Sequence, residues 1–184
     1  MNLYGKILRL FGWKILPPPA QQPPKSVICV APHTSNWDFI LGKLYYRAIG
    51  RKAGFLMKRS WFFFPLGCIL RSSGGIPVDR GHKHNLVEKV SALYKNVKTL
   101  SIAITPEGTR KAREKWKTGF YRIALKAKVP IQLAYIDYRK KQLGVFEIFN
   151  PTGNMEADLR YIRSKYHSAQ ARHPKLFLEA EGSM

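Results

Sequence analysis

The amino-acid sequence predicts an α/β fold with a central, mostly parallel sheet flanked by helices. Short β-rich runs such as SVICVA (26–31) and TLSIAIT (99–105) alternate with segments of helical periodicity such as HNLVEKVSALYKNV (84–97). This alternation is typical of parallel strands joined by helical crossovers. Two apolar runs near residue 140 are separated only by RKKQ, which predicts a hairpin and an antiparallel edge.

The individual elements are assigned from residue spacing in chain order. Runs rich in apolar and β-branched residues predict strands at 26–31, 54–58, 74–79, 99–105, 129–138 and 143–149. Apolar residues recurring at three- and four-residue intervals predict helices at 37–49, 60–70, 84–97, 118–128 and 154–172. The helix at 60–70, SWFFFPLGCIL, is expected to be buried because nearly all of its residues are apolar, and Pro65 breaks or starts it.

The first 24 residues are predicted to be an appendage of the main domain, which spans 25–184. Residues 1–16 have the spacing of an amphipathic helix, with Lys6 and Arg9 opposite the apolar side, and a proline-rich connector follows at 17–24. Such a helix rises only ~24 Å, less than the ~30 Å of a bilayer's hydrocarbon core. We therefore expect an interfacial helix, and the alternative is a helix docked on the protein's own core.

Composition restricts the partners and the compartment. The 184 residues include 32 Lys and Arg against 11 Asp and Glu, a net charge of +21 that predicts an anionic partner such as nucleic acid, an anionic membrane or an acidic protein. Basic residues interrupt any signal-peptide core, and no apolar run approaches the ~20 residues of a membrane span.

Cys29 and Cys68 form no disulfide framework or metal-site spacing, and both are expected to be buried and reduced. A cytoplasmic protein is expected.

Three polar loops follow predicted strands: PHTSNWD (32–38), VDRG (78–81) and PEGTR (106–110). Because ligand sites in such sheets collect beyond the carboxyl ends of strands, these loops are predicted to form one rim. His33 in the loop and Asp38 in the first helical turn can then meet as a general base and its supporting carboxylate. The alternatives are a solvated histidine with an aspartate that merely compensates the helix dipole, and a plain turn at Gly108 and Thr109.

This combination of motifs resembles the glycerolipid acyltransferases, and the lysophosphatidic acid acyltransferase group in particular. HTSNWD is similar to the H-x4-D motif of that family, GGIPVDR to its second block, PEGTR to its third and VPI (129–131) to its fourth. The blocks occur in the family's order, and the resemblance covers about residues 25–138. It implies the family's α/β fold around a mostly parallel sheet.

The resemblance also implies a reaction and roles for the rim residues. A fatty acyl group would pass from acyl-ACP or acyl-CoA to the hydroxyl of a lysolipid, with His33 as general base and Asp38 as its partner. The default acceptor is 1-acyl-glycerol-3-phosphate, which would give phosphatidic acid. No cofactor beyond the thioester co-substrate and no metal are implied. The residues implied in acceptor binding are Arg80, Glu107, Gly108, Thr109, Arg110 and Lys117.

Several alternatives accompany this expectation. The alternative acceptor carries an amino-acid headgroup, as in a lyso-aminolipid. A non-catalytic protein that binds membranes or nucleic acid would also explain the charge, although no nucleic-acid module is recognisable and nucleic acid is not expected as a partner. The expected location is the cytoplasmic side of the cell membrane, where the protein would bind an anionic surface peripherally. The apolar segment 60–70 would then either be a buried helix or wall an acyl-chain groove.

Overall fold

The computed structural model describes residues 2–79 and 83–179, with only the backbone described for 83–85. Its strands are β1 (Lys14–Ile15), β2 (Lys25–Val30), β3 (Gly54–Lys58), β4 (Gly75–Val78), β5 (Leu100–Ile104), β6 (Ile131–Asp137) and β7 (Gln142–Phe149). Its α-helices are α1 (Leu3–Leu10), α2 (Asn36–Ala48), α3 (Leu66–Ser72), α4 (Lys83–Ala92), α5 (Gly119–Ala127) and α6 (Met155–Ser164).

The seven strands form one sheet in the order β1-β7-β6-β2-β5-β3-β4. Strands β6, β2, β5, β3 and β4 run parallel to one another, and β7 is antiparallel to β6 through the hairpin predicted near residue 140. Strand β2 lies between β5 and β6, so the loops after these three strands leave the same edge of the sheet side by side. The predicted fold class is therefore confirmed.

Alternating residues of the central strands supply two cores, one on each face of the sheet. Val27 and Cys29 of β2 pack with residues of α4, α5 and α6, whereas Ile28 packs with residues of α1 and α2. All three side chains are fully buried. This two-sided burial explains why the strand reads as a continuous apolar run rather than an alternating one.

Most predicted elements occur within a few residues of their expected bounds, but the segment 60–70 differs. It forms a 3-10 turn at Arg59–Trp61 and the short helix α3, and most of its apolar side chains are exposed. The expectation of a buried helix was wrong, and so was the expected burial of Cys68, whereas Cys29 is buried as predicted. The helices expected to reach residues 97 and 172 end earlier, at Ala92 and Ser164.

The N-terminal segment shares the core of the rest of the chain. Helix α1 ends at Leu10 rather than at residue 16, because Gly12 adopts a left-handed backbone conformation and Lys14–Ile15 then join β7 as a parallel edge strand. Leu8 and Trp13 are buried beside α2 and the end of the sheet. The expected interfacial helix is thus docked on the protein, and the proposed boundary at residue 24 stays a prediction. Within residues 2–79 and 83–179, no helix combines the length and apolar character needed to cross a bilayer.

Candidate functional site

The loop after β2 and the first turn of α2 bring His33 and Asp38 together. Ser35 caps α2 by accepting the N–H of Trp37, and Asp38 at the third helical position accepts the N–H groups of Thr34 and Ser35 at 2.9 Å each. This capping box explains the five-residue separation: the chain reverses direction between the two side chains, so they need not share a helix face. Asp38 also lies at the positive end of the helix dipole.

The imidazole of His33 faces the Asp38 carboxylate through its Nδ1 atom. Nδ1 is buried and lies 3.1 Å from Oδ2 of Asp38, although the contact is not well aligned for a hydrogen bond. Such contacts commonly tighten when substrate binds. Since Nδ1 is turned towards the carboxylate, Nε2 is the nitrogen that remains for a substrate proton, which is the arrangement required of a general base.

Tyr138 completes this pair and was missed by the sequence analysis. Its hydroxyl donates a 2.6 Å hydrogen bond to Oδ1 of Asp38, the oxygen opposite the one near His33. Tyr138 directly follows β6, the parallel neighbour of β2, so the same strand-end rule that selected the other rim loops would have selected it. The guanidinium of Arg172 lies 6.0 Å from the centre of the Tyr138 ring and 5.8 Å from that of Trp37.

The electrostatics of the pair favour an ionised aspartate. Burial alone would raise the pKa of Asp38, but the contact with His33 and the hydrogen bonds from Tyr138 and the Ser35 N–H outweigh it and hold the pKa below its ordinary value. The pKa of Tyr138 is raised, by burial and by the adjacent Asp38, so its hydroxyl remains a donor. An ionised Asp38 can orient His33 and stabilise the imidazolium that forms when His33 takes a proton.

Glu107 contacts the backbone of this site rather than another rim side chain. Both of its carboxylate oxygens lie 3.0 Å from the backbone nitrogen of His33, which donates to them, and the residue is only 3% exposed. The sequence analysis placed Glu107 only among the residues implied in acceptor binding and did not foresee this contact. Burial raises the pKa of Glu107 to about 7, against the opposing influence of the His33 N–H. The carboxyl thus joins the loop after β5 to the loop after β2.

The remaining residues of the EGTR turn lie at the surface. Gly108 adopts φ +65°, and an added Cβ would come within 2.6 Å of Nζ of Lys117, whose side chain crosses the turn. The Oγ1 atom of Thr109 accepts a long, local hydrogen bond from the N–H of Lys111. Arg110 is exposed and donates to Oδ1 of Asn36, which lies between His33 and Asp38 in the chain. Arg110 thus contacts the first turn of α2 beside His33, and Lys117 adds a second cation across the EGTR turn.

Arg80 lies outside the described residues, so its predicted place on the rim stays a prediction. Strand β4, which ends two residues before it, lies three strands from β2. At ~4.8 Å per strand this is a separation of ~14 Å between the strand ends. The end of β4 therefore lies at the same sheet edge as the His33 loop, but at the outermost strand of the sheet.

The segment after α6 covers the other side of the His33 loop. The N–H of His173 donates to Oγ1 of Thr34 at 3.2 Å, and the hydroxyl of Tyr166 donates to the carbonyl of Cys29 at 3.1 Å. The N–H of Tyr138 donates to the carbonyl of Gln170. These contacts fix the backbone around His33 from a segment that the sequence analysis had assigned only to a helix ending at residue 172. Among the described residues, no group of three His, Cys, Asp or Glu side chains is arranged to hold a metal ion.

Replacing Glu107 with glutamine should change how stability depends on pH. The ordinary pKa of 4.5 rises to about 7 in the folded protein, so the folded state binds more protons than the unfolded state between these values. The free energy of unfolding should therefore fall as pH rises through this window, by up to about 3 kcal/mol. Glutamine keeps an oxygen for the His33 N–H and does not ionise. In thermal melts, the melting temperature of Glu107→Gln should rise relative to that of the wild type from about pH 5 to about pH 8.

A matched control for this measurement is Glu156→Gln. Glu156 lies exposed on α6 and pairs with Arg160 four residues later, so its removal should produce only a small difference that does not grow with pH in this window. A difference between Glu107→Gln and the wild type that stays constant from about pH 5 to about pH 8 would contradict the role assigned to burial.

Comparison with known proteins places the chain in a family. A family model described as Acyltransferase matches residues 19–136, more than half of the 184 residues. No curated protein and no solved structure matches the chain. The matched range includes the His33 loop and the EGTR turn and ends two residues before Tyr138. The chain belongs to the acyltransferase family.

Proposed function

We propose that the protein transfers a fatty acyl group from an acyl-ACP or acyl-CoA thioester to the hydroxyl of a lysolipid, with 1-acyl-glycerol-3-phosphate as acceptor and phosphatidic acid as product. The observation that carries the proposal is the His33–Asp38–Tyr138 arrangement at the carboxyl edge of the sheet. Family membership supports the acyl transfer, and the cations beside the His33 loop support a phosphate-bearing acceptor.

The proposed chemical step is direct attack by the acceptor. Nε2 of His33 takes the proton of the lysolipid hydroxyl as its oxygen attacks the thioester carbonyl, and Asp38 stabilises the resulting imidazolium. The C–S bond then breaks, and the departing thiolate takes the proton back from His33. One ester forms and one thioester is lost, so the step needs no covalent acyl-enzyme and no cofactor.

Acceptor recognition is proposed for the cations around the EGTR turn. A guanidinium binds phosphate through two parallel N–H donors, whereas an ammonium acts as a point charge. Arg110 is exposed and bound only by the neutral side chain of Asn36, so no carboxylate among the described residues neutralises it. Lys117 runs alongside Gly108 in the same turn. We assign both to the acceptor phosphate, with Arg80 as a further cation.

Replacing Arg110 with alanine should raise the KM for lysophosphatidic acid ~10- to 100-fold, because a hydrogen bond to a charged group contributes about 1.5–3 kcal/mol. The KM for the acyl donor should change little. Steady-state kinetics with each substrate varied in turn will measure both. The matched control is Arg113→Ala, which removes an exposed arginine three residues further along the same loop. If Arg110→Ala raised the donor KM more than the acceptor KM, Arg110 would instead bind the phosphates of the donor.

The proposed location is the cytoplasmic face of the cell membrane. A long-chain lysolipid resides in the bilayer, whereas acyl-ACP and acyl-CoA are water-soluble. An enzyme that joins them must therefore work at the boundary between the two phases. The net charge of +21 favours binding to anionic lipid headgroups.

A direct test offers the purified protein one acyl thioester and a panel of lysolipids, with products identified by mass spectrometry. The panel contains lysophosphatidic acid, lysophospholipids with other headgroups, and a lyso-aminolipid. We expect phosphatidic acid as the main product. Acylation confined to the lyso-aminolipid would keep the acyltransferase but replace the acceptor, and thioester consumption without any lipid product would contradict the proposal.

A further inference from the structure

The segment that connects β3 to α3, together with the first half of α3, exposes four large apolar side chains. Trp61, Phe63, Phe64 and Ile69 are 55%, 58%, 86% and 62% exposed, respectively. We call residues 61–69 the aromatic loop. Single exposed apolar residues are ordinary on protein surfaces, but several adjacent ones within one short segment indicate an interaction site.

The aromatic loop is held in one shape by local contacts. A Cβ at Gly67 would come within 2.7 Å of the carbonyl carbon of Phe62, so the chain folds back closely on itself at this point. The guanidinium of Arg71 lies 5.4 Å from the centre of the Phe62 ring. Phe62 is half-buried, whereas its neighbours Phe63 and Phe64 are exposed to solvent.

The charge around the aromatic loop has one sign. Between Asp38 and Asp79 the sequence contains seven Lys and Arg and no Asp or Glu. Lys58 and Arg59 lie within three residues before the loop, and Arg71 lies two residues after it. Exposed aromatic side chains flanked by cations complement an anionic bilayer, because the rings partition into the interface and the cations pair with headgroups.

The position of the loop relates it to the candidate site. It begins immediately after β3, at the sheet edge that also carries the His33 loop. Phe39, which is exposed and directly follows Asp38 on α2, packs on Phe55 of β3 with 4.7 Å between the ring centres. Lys43 of α2 donates to the carbonyl of Ser73, which follows α3. Helix α2, whose first turn carries Asp38, thus contacts the strand before the aromatic loop and the residue that follows α3.

We infer that the aromatic loop docks the protein on an anionic bilayer with the His33 edge of the sheet turned towards the lipid. The inference rests on the proposed function only in that a lipid acceptor has to be taken from a bilayer. It assigns the membrane contact to residues 61–69 and not to α1, whose Leu8 is buried against the protein. Leu10 at the end of α1 and Phe11, which caps the helix, are still exposed, so this end of α1 is the natural comparison.

Vesicle co-sedimentation of the full-length protein tests this assignment, with vesicles of phosphatidylcholine alone and of phosphatidylcholine mixed with phosphatidylglycerol. The double variant Phe63→Ser/Phe64→Ser should bind the mixed vesicles about 100-fold more weakly, roughly tenfold for each ring withdrawn from the interface. It should keep the wild-type melting temperature and the wild-type turnover of a short-chain, monomeric lysolipid. The matched control, Leu10→Ser/Phe11→Ser, removes two comparably exposed apolar residues from α1 and should bind like the wild type.

The outcomes separate the alternatives. Wild-type binding by Phe63→Ser/Phe64→Ser, or an equal loss in Leu10→Ser/Phe11→Ser, would overturn the assignment. A wild type that bound no vesicles but formed a dimer through the loop would also overturn the assignment. Gel filtration would show such a dimer in the wild type and its loss in Phe63→Ser/Phe64→Ser. His33→Ala should bind vesicles normally, so a failure of the proposed reaction would not be confused with a failure of docking.

A second measurement does not depend on removing the apolar surface. Lipids brominated on their acyl chains quench the fluorescence of tryptophan side chains that enter the bilayer. Trp61→Phe keeps an aromatic ring and removes only the fluorophore, so it should bind vesicles like the wild type and lose a large part of the quenching. Equal fractional quenching in the wild type and in Trp61→Phe would show that Trp61 does not enter the lipid and would overturn the proposal.

Discussion

Replacing His33 with alanine is expected to abolish acyl transfer while leaving the protein folded. A positioned general base contributes on the order of 10²–10⁴-fold, and no other described histidine lies beside Asp38. Alanine keeps the backbone N–H that donates to Glu107, so the link between the two loops should survive. Initial rates with saturating thioester and lysolipid, alongside a thermal melt, will measure both effects.

The chain provides a matched control in a second histidine–carboxylate pair. His167 lies 3.6 Å from Glu179 near the C-terminal end of the described residues, where both side chains are partly exposed. His167→Ala should therefore leave the rate within about twofold of the wild type, because the His167 side chain is partly exposed and pairs with Glu179 rather than with Asp38. If His33→Ala kept more than about a tenth of the wild-type rate, the general-base assignment would be wrong.

Replacing Asp38 with asparagine should lower the rate by about 10⁴-fold, by analogy with the aspartate of a serine-protease triad. Asparagine keeps an oxygen that can accept the N–H groups of Thr34 and Ser35, so the cap of α2 can persist. With its oxygen in the Oδ2 position, which also faces His33, asparagine turns its amide group towards Tyr138 and removes the negative charge that stabilises the imidazolium. Tyr138→Phe removes one hydrogen-bond donor but keeps the carboxylate, so its rate should lie between that of Asp38→Asn and that of the wild type.

Asp158 provides a control with nearly the same surroundings but no histidine. It is buried near the start of α6 and accepts the N–H and hydroxyl of Thr152 and the hydroxyl of Tyr121. Asp158→Asn should lower the melting temperature about as much as Asp38→Asn, because each loses the charge of a buried, hydrogen-bonded carboxylate. Its rate per folded molecule should remain near that of the wild type. Equal losses of rate in the two variants would mean that Asp38 acts only through stability.

Much of the sheet was predictable because its strands are buried on both faces and therefore read as unbroken apolar runs. The rim followed from one rule, that polar loops after parallel strands meet at one edge. That rule brought His33 and Glu107 together, but the contact between them uses the backbone N–H of His33, for which a sequence has no signal. Tyr138 obeys the same rule at the end of β6 and was overlooked because no motif marks it.

Two expectations that differ from the structure, the helix at 1–16 and the buried helix at 60–70, have a common physical origin. Apolar spacing shows that a face is apolar but not what covers it. The apolar face of α1 packs on the protein's own core, with Leu8 buried and Leu10 exposed. The aromatic loop lies in the crossover between β3 and β4. These strands are adjacent, so the crossover needs only a short helix. The aromatic side chains of that crossover exceed what the short helix can bury, and an apolar run expected inside the protein lies on its surface.

The central claim is direct transfer to a lysolipid hydroxyl activated by His33, and the most direct measurement follows both products in the same reaction. Thiol released from the acyl donor and acylated lysolipid should appear in a one-to-one ratio. Without lysolipid, almost no thiol should be released, and the intact mass of the protein should stay unchanged by mass spectrometry. Thiol release without lysolipid, or a protein heavier by one acyl group, would contradict direct transfer.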